Sequence, residues 1–437
     1  MIKTFKYITL INILFTTLVT FGQANTSTPY SEFGLGDLKS STFQQGRAMG
    51  GISMGLRKSG AYNMINVGNP ASYSSIILTA FDIGINANAQ QLNRTNFSAE
   101  NSFNVGLSHL AFAMPVSKKS ALSFGLLPYS EMGYNYTKML PKSNLDGSIS
   151  TYNKISAGDG SVSKVYLGYG YLITPNLSLG VNLAYLTGSL KKYNSEELPE
   201  DPQFLNSRVQ TTTSIGIPSV DYGVQYTIAN PGSKAKIIIG YTGNWVGEIN
   251  TTTIKTTSLY RKDYITDNES ESVNTPYSPE EEPTTWNVPM THTLGFAYEK
   301  FNKLLLGADV SYSHWSNFRE GNVNSELSDR YSIAAGGQIT PDINALTSYF
   351  KLVDYRFGVK YDKTFITINN QNIHQYAITF GLGLPLRPNR LALHKINFST
   401  EIGKRGTTNN NLISENYINF SLGFTMNDKW FIKSKFD

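Results

Sequence analysis

The sequence predicts an all-β fold, a transmembrane antiparallel β-barrel of about 14 strands with an N-terminal hatch, or plug, inside its lumen. Three observations predict it. The chain opens with an export leader; its segments alternate apolar and polar residues over about ten positions, the length of a tilted membrane strand; and the connections between them alternate short and long.

Residues 1–22, MIKTFKYITLINILFTTLVTFG, carry Lys3 and Lys6, then an apolar run, then small residues. That is the pattern of a secretory signal peptide, and the run is too short for a membrane span. With no cysteine, disulfides, thiolate metal sites and a lipidated cysteine are all excluded. Lys and Arg total 37 against 32 Asp and Glu, and removing Lys3 and Lys6 leaves 35 against 32, too even for an electrostatic nucleic-acid binder. Only 16% of residues are charged, while 27 Tyr, 23 Phe and 37 Gly suit interfacial girdles and curved strands.

Residues 23–76 do not alternate; they are polar and glycine-rich, with Phe33, Leu35, Leu38, Met49, Ile52 and Met54 needing cover. A plug inside the lumen supplies that cover. The barrel is expected over 77–427. In FDIGINANA, Phe81, Ile83 and Ile85 oppose Asp82, Gly84 and Asn86, and in LSLGVNLAYL, Leu177, Leu179, Val181, Leu183 and Tyr185 oppose Ser178, Gly180, Asn182 and Ala184. YAITFGLGL and YINFSLGFTM repeat the pattern near the end. Alternation by itself fits a soluble sandwich as well; repetition along nearly the whole chain favours the barrel. Short turns such as SKKS (117–120), TPNL (174–177) and FNK (301–303) alternate with long polar connections at 140–153, 194–206, 262–285 and 317–329. One short-side connection, INALTSYFKLVD (Ile343 to Asp354), has helical spacing. Residues 428–437 are expected to form a short periplasmic tail; a fifteenth strand there would break the even count.

GRAMGGISM (Gly46 to Met54) followed by NVGNPASYSSI (Asn66 to Ile76) resembles the N-terminal hatch of FadL-type outer-membrane transporters of hydrophobic compounds, and SEFGLGDL (Ser31 to Leu38) resembles the start of a FadL-like branch that includes envelope secretion and assembly subunits. The matching positions are Gly46, Arg47, Gly50, Gly51, Asn69, Pro70 and Ala71. The resemblance implies an outer-membrane location in a Gram-negative bacterium, a plugged fourteen-stranded barrel, and in true transporters a side opening made by a kinked third strand. Pro128 interrupts the third alternating segment, where it marks either a bulge or a gate; Pro218 and Pro289 interrupt others.

No catalytic motif, phosphate loop or metal signature occurs, and the expectation is a non-enzyme without cofactor or metal. His109 could pair with a serine, but nothing singles one out. The acidic run from Asp263 to Glu282 lacks calcium-loop spacing and reads as a solvated loop. Asp309 and Glu401 fall on the inward face, where they either anchor the plug through Arg47, Arg57 or Lys58 or serve conduction. Arg47 and Arg57 are the candidates for an acidic head group, because guanidinium forks match carboxylates. The expected partners are outer-membrane lipid, a hydrophobic small-molecule ligand and a larger outer-membrane protein complex, with no nucleic acid. The expected function is passive uptake of small hydrophobic molecules; the alternative is a non-transporting barrel subunit of a secretion or barrel-assembly complex.

Overall fold

A computed structural model describes residues 27–57, 62–143, 149–200, 205–229, 235–246, 248–266, 268–270, 280–321, 323–324, 326–386 and 392–429. The expected leader, the expected tail beyond Lys429 and Lys58 lie outside them. In chain order, β1 (Asp37–Leu38) belongs to the N-terminal segment, and the wall starts with β2 (Thr79–Asn93), β3 (Glu100–Ser117), β4 (Ser120–Ser143), β5 (Ile149–Leu172), β6 (Leu177–Glu197) and β7 (Asn206–Ala229). The seventh wall strand comes in two pieces, β8 (Ala235–Val246) and β9 (Glu248–Tyr260), followed by the hairpin β10 (Lys262–Asp263) and β11 (Asn268–Glu269). The eighth is also split, into β12 (Glu280–Asn287) and β13 (Thr291–Lys300). The wall continues through β14 (Leu304–Ser313), the short β15 (Arg319–Glu320) and β16 (Val323–Asn324), then β17 (Arg330–Ile339), β18 (Asp354–Ile368), β19 (Gln371–Pro385), β20 (Ala392–Gly406) and β21 (Ser414–Asp428). Fourteen antiparallel wall strands close when β21 pairs with β2, from Thr79↔Asp428 to Asn93↔Ser414.

Burial settles the choice between sandwich and barrel. On β6 the apolar Leu179, Leu183 and Tyr185 are 40%, 58% and 50% exposed, whereas Ser178 and Asn182 are fully buried. A water-soluble sheet would bury the opposite face. The exposed face is greasy around the whole wall, including Phe103 and Val105, Leu294 and Phe296, and Phe398 and Phe420, as lipid contact requires. Among the described residues no helix is long and apolar enough to cross a membrane.

The ladders run further than a membrane needs. β4, β5 and β7 are each 24 residues long, and β4 stays paired to β5 from Ser120↔Tyr171 to Ser143↔Ile149. Much of what the sequence suggested as outer loops at 140–153 and 194–206 is therefore strand, since an antiparallel ladder has no reason to stop where the lipid does. The connection 343–354 does not form the expected helix. Only a 3-10 turn at Tyr349–Lys351 is present, with Leu346 and Phe350 exposed. A segment this short, with its central apolar residues uncovered, cannot recover the cost of helix nucleation.

The N-terminal segment packs against the inward side of the wall. Tyr30 and Leu35 join Met132, Trp286, Trp315, Phe318 and Phe365 in one apolar cluster at the end bearing the long connections. Phe43, Ile65, Val67, Tyr73 and Ile76 join a second with Ala80, Ala111 and Tyr166. Inward glycines allow this fit: a Cβ on Gly180 would lie 2.2 Å from the Pro70 carbonyl carbon, and one on Gly358 2.2 Å from the Gly50 nitrogen.

Candidate functional site

The wall has a seam. β3 pairs with β2 along most of its length, from Ala80↔Ala113 to Leu92↔Glu100, but with β4 only from Ser117↔Ser120 to Leu110↔Leu126. Beyond that point β4 keeps β5 as its wall partner and has lost β3, with a bulge between Pro128 and Ser130. Proline has no N–H to give to β3 and is tolerated in a sheet at edges and bulges. Ser130, Glu131, Met132, Gly133 and Tyr134 are then buried in succession, where a wall strand facing lipid would alternate, so β4 turns inward here. The N-terminal segment takes up part of the vacated edge: Asp37↔Glu131 and Leu38↔Ser130 pair as β1 with β4, Lys39 N–H donates to Tyr129 O, and Gly133 N–H donates to Ser31 Oγ at 3.0 Å.

Behind the seam lies a cavity of about 470 Å³. Leu107, Leu127 and Pro128 line it on the seam side; Arg47, Gly50, Gly51 and Met54 line it from the N-terminal segment. Its charges are mostly paired. Lys39 lies 3.0 Å from both Asp37 and Glu131, Arg405 reaches Asp37 at 2.8 Å and Glu415 at 2.6 Å, Arg330 meets Asp362 at 2.5 Å, and Lys164 meets Asp221 at 2.5 Å. Thr28 bonds to Glu415 and Tyr30 to the Ile413 carbonyl. Burial would raise the Asp37 carboxyl, but Lys39 and Arg405 outweigh it and hold the group well below the usual carboxylate range. Burial would likewise lower Lys39, and the pair of carboxylates beside it raises it instead.

The residues singled out from sequence fall at several depths. Gly50 and Gly51 adopt φ of 78° and 93°, the left-handed region that favours glycine, and Gly50 N–H donates to Thr379 Oγ1 at 2.8 Å. A Cβ on Gly46 would lie 2.6 Å from the Ile52 carbonyl oxygen. Arg47 donates to Thr42 O at 2.7 Å and Ser40 O at 3.1 Å, bracing its own loop beside the cavity. Arg57 points elsewhere, to Ser74 Oγ at 2.7 Å and Ser178 Oγ at 3.0 Å, so the two arginines do not form one anion site. Asn69 is extended at φ −139°, its side chain accepts from Ala71 N–H, and Pro70 starts a buried 3-10 turn through Ser75. Asp309 takes neither arginine; it accepts the backbone N–H groups of Ser53 at 2.6 Å and Met54 at 3.0 Å. Glu401 accepts from Tyr417 OH at 2.8 Å.

Sequence reasoning missed the cluster of Asp37, Lys39, Glu131, Arg405 and Glu415, whose members are scattered over nearly four hundred positions and meet only through closure. The inward phase of Arg405 and Glu415 on their alternating strands was the available signal. It also left His109 without a partner. His109 Nε2 lies 2.8 Å from Asp82 and Nδ1 3.1 Å from Ser108 Oγ, with Phe43 stacked on the ring at 3.5 Å. All three polar residues are buried and none lines the cavity, so the arrangement ties β2 to β3 at their bulge and offers a substrate no access. Among the described residues no group of three His, Asp or Glu side chains is placed to hold a metal.

A family model described as BamG matches residues 1–437. No curated protein matches the chain. Solved structures with the same fold include a Pseudomonas aeruginosa FadL homologue, at 11% identity and TM-score 0.60 over 90% of this chain and 99% of that one. The Pseudomonas putida toluene transporter TodX is similar at 15% identity and TM-score 0.57, over 90% and 99%. The Ralstonia pickettii toluene transporter TbuX is similar at 12% identity and TM-score 0.56, over 89% and 99%.

Proposed function

The chain belongs to the BamG family and is a FadL-like outer-membrane β-barrel, and from that premise we propose that it admits small hydrophobic molecules passively through a side route at the β3–β4 seam. The observation that carries this reading is the end of the β3–β4 ladder at Leu110↔Leu126, directly beside a cavity lined by Leu107, Leu127 and Pro128. A molecule in that cavity meets lipid at the seam without crossing the packed lumen. The N-terminal segment acts as the hatch that stops free flow, because it is bonded to the wall at Asp309, Thr379 and Asn182. The names of TodX and TbuX, both toluene transporters, support the substrate class. Catalysis is no part of this reading.

Uptake of a small fluorescent aromatic probe into liposomes tests it. The barrel should raise uptake above that of empty liposomes, and Gly106→Trp, which puts an indole at the seam side of the cavity, should lower it about tenfold. Uptake equal to that of empty liposomes, or unchanged in Gly106→Trp, sinks the reading.

A second reading, a barrel subunit of a larger outer-membrane complex, is suggested by the family name alone. A stoichiometric large partner after extraction in mild detergent supports it. A barrel that comes out alone counts against it.

A further inference from the structure

We propose that the outer face of β17, β18, β19 and β20 holds a binding site for an anionic, phosphate-bearing lipid headgroup of the outer leaflet, built from Lys363, His374 and Lys404 with Tyr331, Tyr361 and Tyr376. The inference goes beyond the uptake reading, and β21 and β2 stand between this face and the seam strand β3.

The register puts these six side chains on one face. Tyr331 is opposite Lys363, Lys363 opposite His374, Tyr361 opposite Tyr376, and Tyr376 opposite Lys404; directly opposite residues share a face. Two residues further toward the short turns on the same four strands stand Ile333, Val359, Ile378 and Ile402, all exposed and apolar. The six therefore sit at the upper boundary of the hydrocarbon, where headgroups lie.

Tyrosines at that level are an ordinary girdle; the charge is what sets this face apart. The four strands hold only three carboxylates, Asp354, Asp362 and Glu401. The first two are buried and the third lines the cavity, so the outward face carries cations alone. Lys363 Nζ lies over the Tyr331 ring at 5.5 Å, Lys404 is exposed, and neither has an ion pair among the described residues. His374 Nδ1 lies 3.1 Å from Tyr361 OH, which leaves Nε2 to an outside partner. The neighbouring girdle pair shows the alternative. There Tyr312 OH lies 2.7 Å from His314 Nδ1, and the chain supplies its own anion, Asp329, 3.4 Å from the same nitrogen. At His374 the anion has to come from outside.

The geometry also limits what that anion is. Lys363 and Lys404 stand two strands apart, roughly 10 Å, and grip a headgroup from two sides with the imidazole between them. Ammonium groups bind phosphate as point charges, and basic side chains at a membrane boundary attract anionic lipid. The apolar row beneath receives the acyl chain, which selects a lipid over free phosphate.

The test titrates the detergent-purified full chain with phosphatidic acid and with phosphatidylcholine, reading bound lipid by native mass spectrometry. Phosphatidic acid should be retained in preference, and the double variant Lys363→Gln, Lys404→Gln should bind it about 20-fold more weakly. Lys118→Gln with Lys119→Gln, in the exposed turn at the opposite rim, removes the same charge and should change nothing. Both double variants should keep the parent's heat-modifiability, so a loss of binding is not a loss of the barrel. Equal retention of the two lipids, equal weakening in the two double variants, or inorganic phosphate displacing phosphatidic acid at equal concentration would overturn the proposal. In the native outer membrane, a photo-crosslinking phenylalanine analogue at Tyr376 should label an anionic phosphorylated lipid; adducts with protein alone would also overturn it. Uptake depends on the seam and not on this face, so the two assays fail independently.

Discussion

At the scale of residues, single carboxylates hold the N-terminal segment to the wall. Asp309 on β14 gathers the adjacent N–H groups of Ser53 and Met54, doing for a loop what a cap does for a helix. Asp309→Ala leaves two buried donors unmatched, at about 1 to 3 kcal/mol for each. Hydrogen exchange at Ser53 and Met54 should then speed up about 10- to 100-fold, while Asp309→Asn, which keeps an acceptor, should recover much of the protection. Asp37 acts at the seam, and its folded carboxyl is held below its unfolded value by Lys39 and Arg405. A depressed carboxylate stabilises above its unfolded value, about pH 4, and the gain is lost as pH falls through the lower folded value. Protection of the amides of residues 37–39 should stay level from about pH 7 to 5 and drop below about pH 4. In Asp37→Asn the drop should vanish and protection should be lower throughout.

At the scale of elements, three departures from regularity have separate causes. The seam follows from Pro128, which withholds an N–H in the middle of β4 and coincides with a bulge there. Pro218 sits on β7 opposite Tyr185 in an unbroken register with β6, and on its other side the pairing lapses between Ser214↔Thr252 and Ser219↔Val246 but resumes beyond; the inward turn and the presence of a replacement strand distinguish β4. The Asn69-Pro70-Ala71 turn follows from the Asn69 side chain, which accepts from Ala71 N–H and donates to Met54 O at 3.0 Å. Asn69→Ala should remove both bonds at a cost of about 1 to 3 kcal/mol, read as a lower midpoint in heat-modifiability gels. The connection 343–354 shows the limit of periodicity, because its apolar residues repeat at helical spacing while Leu346 and Phe350 stay exposed.

At the scale of the whole molecule, the barrel is inside out relative to a soluble sheet. Its lipid face carries Leu294, Phe296, Ile333 and Phe357 at 50% exposure or more, and its inner face carries buried Ser, Thr, Asn and Gly that bond the N-terminal segment. Phe296→Arg at mid-wall should destabilise the folded barrel in lipid vesicles by about 2 to 4 kcal/mol. The same substitution at Ser332, which lines the cavity, should cost distinctly less. Equal costs would mean that the outer face does not meet hydrocarbon.

The sequence alone determined the class of the fold, since a period of two repeated from Thr79 to Asp428 permits only a sheet with two unlike faces, and its length demands closure. It pointed to Asn69 and Pro70 as the exit from the irregular part, and it left Pro128 as one of three interrupting prolines, a bulge or a gate. It could not determine which residues meet across the lumen. Asp37 finds Arg405, and Asp309 finds Ser53, only because closure sets the first and last strands side by side and folds a segment without periodicity back through the middle. Nor could it show that β1 replaces β3 on the edge of β4, because backbone pairing leaves no mark on side-chain pattern. Period fixes the faces of a strand; only closure fixes its neighbours.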